Sequence, residues 1–231
     1  VRPVVFLAYG QSIASNLNEA TYQPTHLVYS IDAGHCYEAR DPMRGADGTR
    51  GSMWSWLGDA LPASRFPVIA FVTIGVGGSS IVQWDVGGDL NPKLTDAVDA
   101  LHRGGFSLPY LLWHQGSADR GMAMADYMAH FRSMIASLST HGVQAGTGSA
   151  QTRVLIAVHT ICNSTQDPAI AAAQRALVDN SSGSFSGADT DTIGPEQRFD
   201  GCHLNQAGQN TAAGLWRAAI EAAADYPPPR P

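Results

Sequence analysis

The stretch VVFLAYGQSIASN, residues 4–16, sets the reading of the whole chain. Its apolar run has the length and the Val, Phe and Leu content of a buried strand. It stops abruptly at Gly10-Gln11-Ser12. A turn needs a glycine or a small polar residue; it does not need a serine at the C-terminal end of a strand. That end is where open α/β sheets place their reactive groups. Ser12 taken alone is equally the cap of a short helix beginning near Ile13, so its meaning depends on what surrounds it.

Similar apolar runs recur at 26–31, 68–76, 108–114 and 153–160, each ending in glycine, polar or turn residues. Between 121 and 140, Met124, Tyr127, Met128, Phe131, Ile135 and Leu138 fall at one-sided helical spacing. Residues 168–179 open on proline and continue through alanines, as a helix start should. Residues 205–224 read as a C-terminal helix despite Gly208 and Gly214. Strands alternating with helices imply parallel pairing and right-handed crossovers. The expectation is one doubly wound α/β/α domain over residues 1–231, without internal repeats. Polar or glycine-rich connections lie at 33–52, 142–151 and 180–197. The first and last are long for plain connections, which makes them candidate walls of a site. The final PPPRP reads as an extended tail.

The composition narrows the classes. Apolar residues make up 44% and charged residues only 15%, so the chain is neither disordered nor a highly charged interaction tail. A net charge of -6 gives no footprint for nucleic acid. No apolar run reaches the roughly 18 residues of a membrane span. No signal peptide is visible at Val1, as is also true of a mature chain whose signal has been removed. Three cysteines, Cys36, Cys162 and Cys202, allow one disulfide and one free thiol.

Parallel strands deliver their C-terminal ends to one edge of a sheet. Ser12 follows the first strand, Gly77-Gly78-Ser79-Ser80 follows the next central one, Gln115 ends the third, and Asp200-Gly201-Cys202-His203 stands near the C-terminus. These are the parts of a serine hydrolase. Ser12 would be the nucleophile, His203 the base that takes its proton, and Asp200 the carboxylate that orients the imidazole. An oxyanion needs preorganised donors. The N–H of Ser12, the N–H of Gly78 and the Gln115 side-chain amide could supply three. The order Ser, Asp, His with acid and base three residues apart is not the usual α/β-hydrolase layout, and no G-x-S-x-G elbow surrounds Ser12.

With GQSI at 10–13, GGSSIVQW at 77–84, WHQGSAD at 113–119 and DGCH at 200–203, the chain resembles the SGNH hydrolases. Within them it looks like the sialate O-acetylesterase-like and carbohydrate esterase family 6 acetylxylan esterase group. The four blocks stand in the family order. The resemblance implies a flavodoxin-like three-layer sandwich. It implies Ser12 as nucleophile and Asp200 and His203 as acid and base. It also implies Gly78 as backbone oxyanion donor, with Gly77 the alternative, and Gln115 in place of the family's usual asparagine. Two residues depart from the pattern. Ile13 replaces the asparagine after the nucleophile, and Ser117 replaces the acid of the third block. Asn16 and Asp119 are the candidates for substitute hydrogen bonds.

The expected activity is removal of O-acetyl groups from a carbohydrate through an acyl-serine intermediate, with no cofactor or metal. The rivals are a broad short-chain acyl esterase or thioesterase and a catalytically silent carbohydrate-binding relative. The presence of Ser12, Asp200 and His203 argues against the second. Trp84 and Trp113 could line the acyl or sugar site or pack in the core. His114 is expected beside the site and His159 in the core. His159, Cys162, Cys202 and His203 form a rival zinc set. A Cys162–Cys202 disulfide is the better expectation, since both residues should lie near the same sheet edge. It would brace the catalytic loop and suit a secreted or periplasmic protein.

Overall fold

The first strand, β1 (Val4–Gly10), runs through the middle of a seven-stranded sheet. Its side chains alternate between two cores. Phe6 and Ala8 pack into one, and Val5, Leu7 and Tyr9 into the other, so both faces of the strand are covered and the apolar run is continuous rather than alternating. The computed structural model describes residues 2–226; the tail expected at 227–231 lies outside the described residues.

In chain order the remaining elements are β2 (Val28–Asp32), β3 (His35–Glu38), α1 (Met53–Ala60), β4 (Ile69–Thr73), α2 (Ile81–Trp84), α3 (Asn91–Arg103), β5 (Tyr110–His114), α4 (Met124–Ser137), β6 (Arg153–Val158), α5 (Pro168–Ala176), β7 (Ser184–Asp189) and α6 (Gln206–Ala224). The sheet order is β3-β2-β4-β1-β5-β6-β7, parallel except for β3, which pairs antiparallel with β2. The segment β4-β1-β5-β6-β7 has the 2-1-3-4-5 order of flavodoxin-like sheets, and the β2–β3 hairpin extends its edge. Helices α1 and α6 cover one face through Trp54, Leu57, Trp216 and Ile220; α3, α4 and α5 cover the other through Val98, Phe131, Met134 and Ile170. The expected three-layer sandwich is therefore the fold observed.

Two differences from the sequence reading concern the long connections. The stretch 33–52 contains β3. The stretch 180–197 contains β7, SFSGAD, with only Phe185 and Ala188 buried. As a sheet edge β7 has one strand partner, β6, and so lacks the apolar run that marks an inner strand.

Candidate active site

Gly10 makes the turn that presents Ser12. Its φ is +131°, and a Cβ there would lie 2.2 Å from the His114 carbonyl oxygen of β5. No side chain fits where β1 leaves the sheet so close to its neighbour. The chain then folds into a short 3-10 turn, Ser12–Ala14, whose residues are buried. Gln11 ties this turn to the next strand end. Its Oε1 accepts from Gly116 N–H (2.9 Å) and Ala118 N–H (3.1 Å), and its Nε2 donates to Ser117 Oγ (2.6 Å).

One cleft of about 420 Å³ opens above these strand ends, lined among others by Gln11, Ser12, Gly77, Gly78, Ser117 and His203. Ser12 from β1, the glycines after β4 and the histidine of the last loop thus meet at the carboxyl edge of the sheet, beside β1, where the strand order reverses. Gly77 N–H donates to Asp47 (2.8 Å). Among the described residues, the N–H groups of Gly78 and Ser12 have no protein partner. Gly78 has φ +69° and nothing within 4 Å of where a Cβ would be. Of the two glycines, Gly78 therefore keeps an uncommitted donor.

His203 Nδ1 lies 2.6 Å from Asp200 Oδ2, while Asp200 Oδ1 accepts from the N–H groups of His203 (2.7 Å) and Cys202 (2.9 Å). Burial pushes the Asp200 carboxyl up, but these hydrogen bonds outweigh it and hold the group below the usual carboxylate range. An ionised carboxylate only accepts, so the His203 Nδ1–H is the donor of this pair.

Gln115 departs from expectation. It is fully buried at the end of β5, and its Nε2 donates to Ser79 O (3.1 Å) and to the Asp119 carboxylate, while Tyr127 O–H donates to its Oε1 (3.0 Å). It does not line the cleft, because both amide hydrogens are committed to buried acceptors. It positions the loop instead of offering a third oxyanion donor. Asp119 acts with it, accepting also from Ser80 Oγ (2.5 Å) and Ile81 N–H (2.9 Å), so one carboxylate joins the turns after β4 and β5. Asn16 braces the opposite wall, donating to Met43 O (2.8 Å) and accepting from Met43 N–H (2.7 Å). Both candidate substitutes thus hold site loops.

Trp84 and Trp113 are fully buried and pack edge-on at 6.3 Å between ring centroids; they are core, and the cleft walls are made by smaller residues. His114 and His159 are also fully buried, their rings tilted by 35° with centroids 4.7 Å apart, and joined through Thr190 Oγ1. Burial holds both imidazoles below their ordinary range.

The Cys162–Cys202 disulfide is present, with Cys36 the free and exposed thiol. Both sulfurs are bonded to each other, so neither can be a zinc thiolate. Two residues that the sequence reading passed over complete the loop. Arg198, buried, donates to Cys202 O (2.6 Å) and Thr190 O (2.7 Å). Asn18, fully buried, donates to Ile13 O (3.0 Å) and accepts from Leu204 N–H (3.1 Å). Neither sits in a motif; their signal is only that an arginine and an asparagine fall beside apolar residues.

Among solved structures the chain is similar to a protein of Arabidopsis thaliana, with 17% identity and TM-score 0.76 over 96% of this chain and 99% of that one. It is similar to a carbohydrate acetylesterase of Xanthomonas citri, with 14% identity and TM-score 0.60 over 96% of this chain and 56% of the other. A carbohydrate acetylesterase family member from Sinorhizobium meliloti follows, with 15% identity and TM-score 0.56 over 96% and 99%. At these identities the likeness is one of fold. Among curated proteins none matches. The sequence itself decides the kinship: residues 5–220, which carry every group described above, match the family model of the carbohydrate esterases described as sialic acid-specific acetylesterases, and the chain belongs to that family.

Proposed function

We propose that this esterase removes O-acetyl groups from a carbohydrate by way of an acyl-Ser12 intermediate. The observation that carries the reading is the shared cleft of Ser12, Gly78 and His203, with His203 held by Asp200 at 2.6 Å. His203 Nε2 takes the hydroxyl proton as Ser12 Oγ attacks the acetyl carbonyl. The charge that develops on the carbonyl oxygen is met by the N–H groups of Ser12 and Gly78. In related chemistry the loss of one such donor costs about 2.7–4 kcal/mol of transition-state stabilisation. Asp200 stays ionised and stabilises the imidazolium. The imidazolium returns its proton to the departing sugar oxygen. Water, deprotonated by the same Nε2, then attacks the acetyl-serine and releases acetate.

The family match supports an acetylated carbohydrate as the substrate class. The disulfide beside His203 fits a protein that works in an oxidising compartment, which favours a secreted or periplasmic setting. The test is acetate release from a panel of O-acetylated sugars and polysaccharides by the wild type and by Ser12→Ala. Release by the wild type and none by Ser12→Ala supports the reading. Equal release by both refutes it.

A further inference from the structure

In the turn after β4, every backbone N–H from Val76 to Ser80 except one has a partner among the described residues. Val76 N–H donates to Gly10 O (2.9 Å), Gly77 N–H to Asp47 Oδ2 (2.8 Å), Ser79 N–H to Val76 O (3.3 Å) and Ser80 N–H to Gln83 Oε1 (3.0 Å). The exception is Gly78, which lines the cleft. Val76 is thus held by the backbone of β1, and Ser79 and Ser80 by the turn itself and by α2. Gly77 alone among them is held by a side chain from a distant segment, Asp47, which stands in the connection between β3 and α1.

Two consecutive glycines have no Cβ to restrict their backbone, so the shape of this turn must be imposed from outside. Gly78 sits at φ +69°. A stiffer residue cannot replace Gly77, because a Cβ there would lie 2.8 Å from Leu17 Cδ1 and 3.4 Å from Asp47 Oδ2. Unless the Gly77 N–H is held, its peptide can rotate, and the Gly78 N–H turns with it. Asp47 is well placed to hold it. Its N–H donates to Gly75 O (3.0 Å) and its carbonyl accepts from Asn16 N–H (2.9 Å), so its backbone joins the oxyanion turn to the nucleophile segment. Its side chain is exposed and forms no salt bridge among the described residues. Asp47 does not line the cleft, whereas Leu17, Gly77 and Gly78 do. It therefore acts through Gly77. An ionised acceptor makes that bond roughly twice as strong as a neutral one.

We infer that Asp47 is a positioning residue of the oxyanion hole: by accepting the Gly77 N–H it fixes the Gly77–Gly78 turn and keeps the Gly78 N–H available to the ester carbonyl beside Ser12. The inference rests on the acyl-Ser12 reading for its reaction, and on the Asp47–Gly77 bond for its residue.

The experiment measures kcat and KM for the wild type, Asp47→Ala and Asp47→Asn with two esters, p-nitrophenyl acetate and an O-acetylated sugar. Removing an oxyanion donor outright costs about 10²–10³ in kcat; one that is only misplaced should cost less. Asp47→Ala should lower kcat roughly ten- to a hundredfold on both esters, with KM nearly unchanged, since the oxyanion exists only beyond the ground state. Asp47→Asn keeps an acceptor oxygen and should recover most of the rate. The Gly77 amide proton, followed by 1H–15N NMR, reads the bond without turnover. Its resonance should move upfield in Asp47→Ala and return in Asp47→Asn. An undiminished kcat in Asp47→Ala, or an equal loss in both variants, would overturn the assignment. So would a loss confined to KM or to the sugar ester, which would make Asp47 a sugar contact. If the wild type hydrolyses neither ester while the Gly77 resonance follows the acceptor, the acetylesterase reading has failed and the Asp47–Gly77 contact has not.

Discussion

Asn18 and Leu204 are joined by a buried hydrogen bond of 3.1 Å, the Leu204 N–H donating to Asn18 Oδ1, while Asn18 Nδ2 donates to Ile13 O. One carboxamide therefore links the residue after Ser12 to the residue after His203. Ser12 and His203 come from distant parts of the sequence, and this link ties together the segments that carry them.

Asn18→Ala should leave Leu204 N–H and Ile13 O without partners in a dry interior. Each orphaned group costs about 1–3 kcal/mol. Catalytic groups tolerate little displacement, and a shift of about 1 Å can cost two orders of magnitude in rate. The expected result is a lower unfolding midpoint together with a drop in kcat of roughly ten- to a hundredfold. An unchanged kcat in a destabilised variant would show that the link serves the fold alone.

The Cys162–Cys202 bond closes a loop with a sequence separation of 40. By loop-closure entropy it contributes about 4 kcal/mol. Thiol titration of the denatured, non-reduced protein should find one free thiol, Cys36. Mild reduction, or the Cys162→Ala/Cys202→Ala pair, should lower activity before the far-ultraviolet signal of the domain is lost. Three free thiols in protein from an oxidising compartment would contradict the bond.

His114 and His159 are held neutral by burial. Unfolding restores their ordinary value near 6.5, so below about that pH the unfolded chain binds protons that the folded chain refuses. The stability this pair contributes is complete above roughly pH 6.5 and is lost as the pH falls. Asp41 works in the opposite sense. Burial pushes its carboxyl up to about 6, so its contribution is complete below its unfolded value and is lost as the pH rises through about 6. Urea midpoints between about pH 7 and pH 5 should fall on acidification. The fall should become shallower in His159→Gln and steeper in Asp41→Asn. The reverse order of slopes would refute the assignment.

Ser12 and His203 should behave as one unit. Each single alanine variant should lose most of the turnover, on the order of a millionfold in a comparable triad, and the double variant should be little worse than either. Losses that multiply in the double variant would mean that the two residues act independently.

The strand ends were legible because a buried parallel strand writes itself as an unbroken apolar run, and VVFLAYG followed by GQS leaves little choice. The edge strand β7 was not, since Ser184, Ser186 and Gly187 give it the composition of a loop. Helices α1 and α3 also went unread, although in α3 Leu94, Val98 and Leu101 stand at helical spacing behind a proline. Side-chain direction was the harder problem. Gln115 falls at the right strand end, yet whether an amide there faces the cleft or the interior depends on Ser79 and Asp119, which tertiary packing brings to it. Trp84 and Trp113 posed the same ambiguity, and the core holds both. Asn18 sits in no motif, because its importance lies in contacts with Ile13 and Leu204, which only the fold brings together.

The most direct test of an acyl-Ser12 enzyme is covalent trapping. Diethyl p-nitrophenyl phosphate transfers its phosphoryl group to an activated serine oxygen and releases p-nitrophenolate. Peptide mapping of the treated protein should find one diethylphosphoryl group per chain on the peptide that contains Ser12, with activity lost in proportion and labelling abolished in Ser12→Ala and His203→Ala. Labelling at any other residue in step with inactivation, or full esterase activity in a protein fully modified at Ser12, would contradict the account.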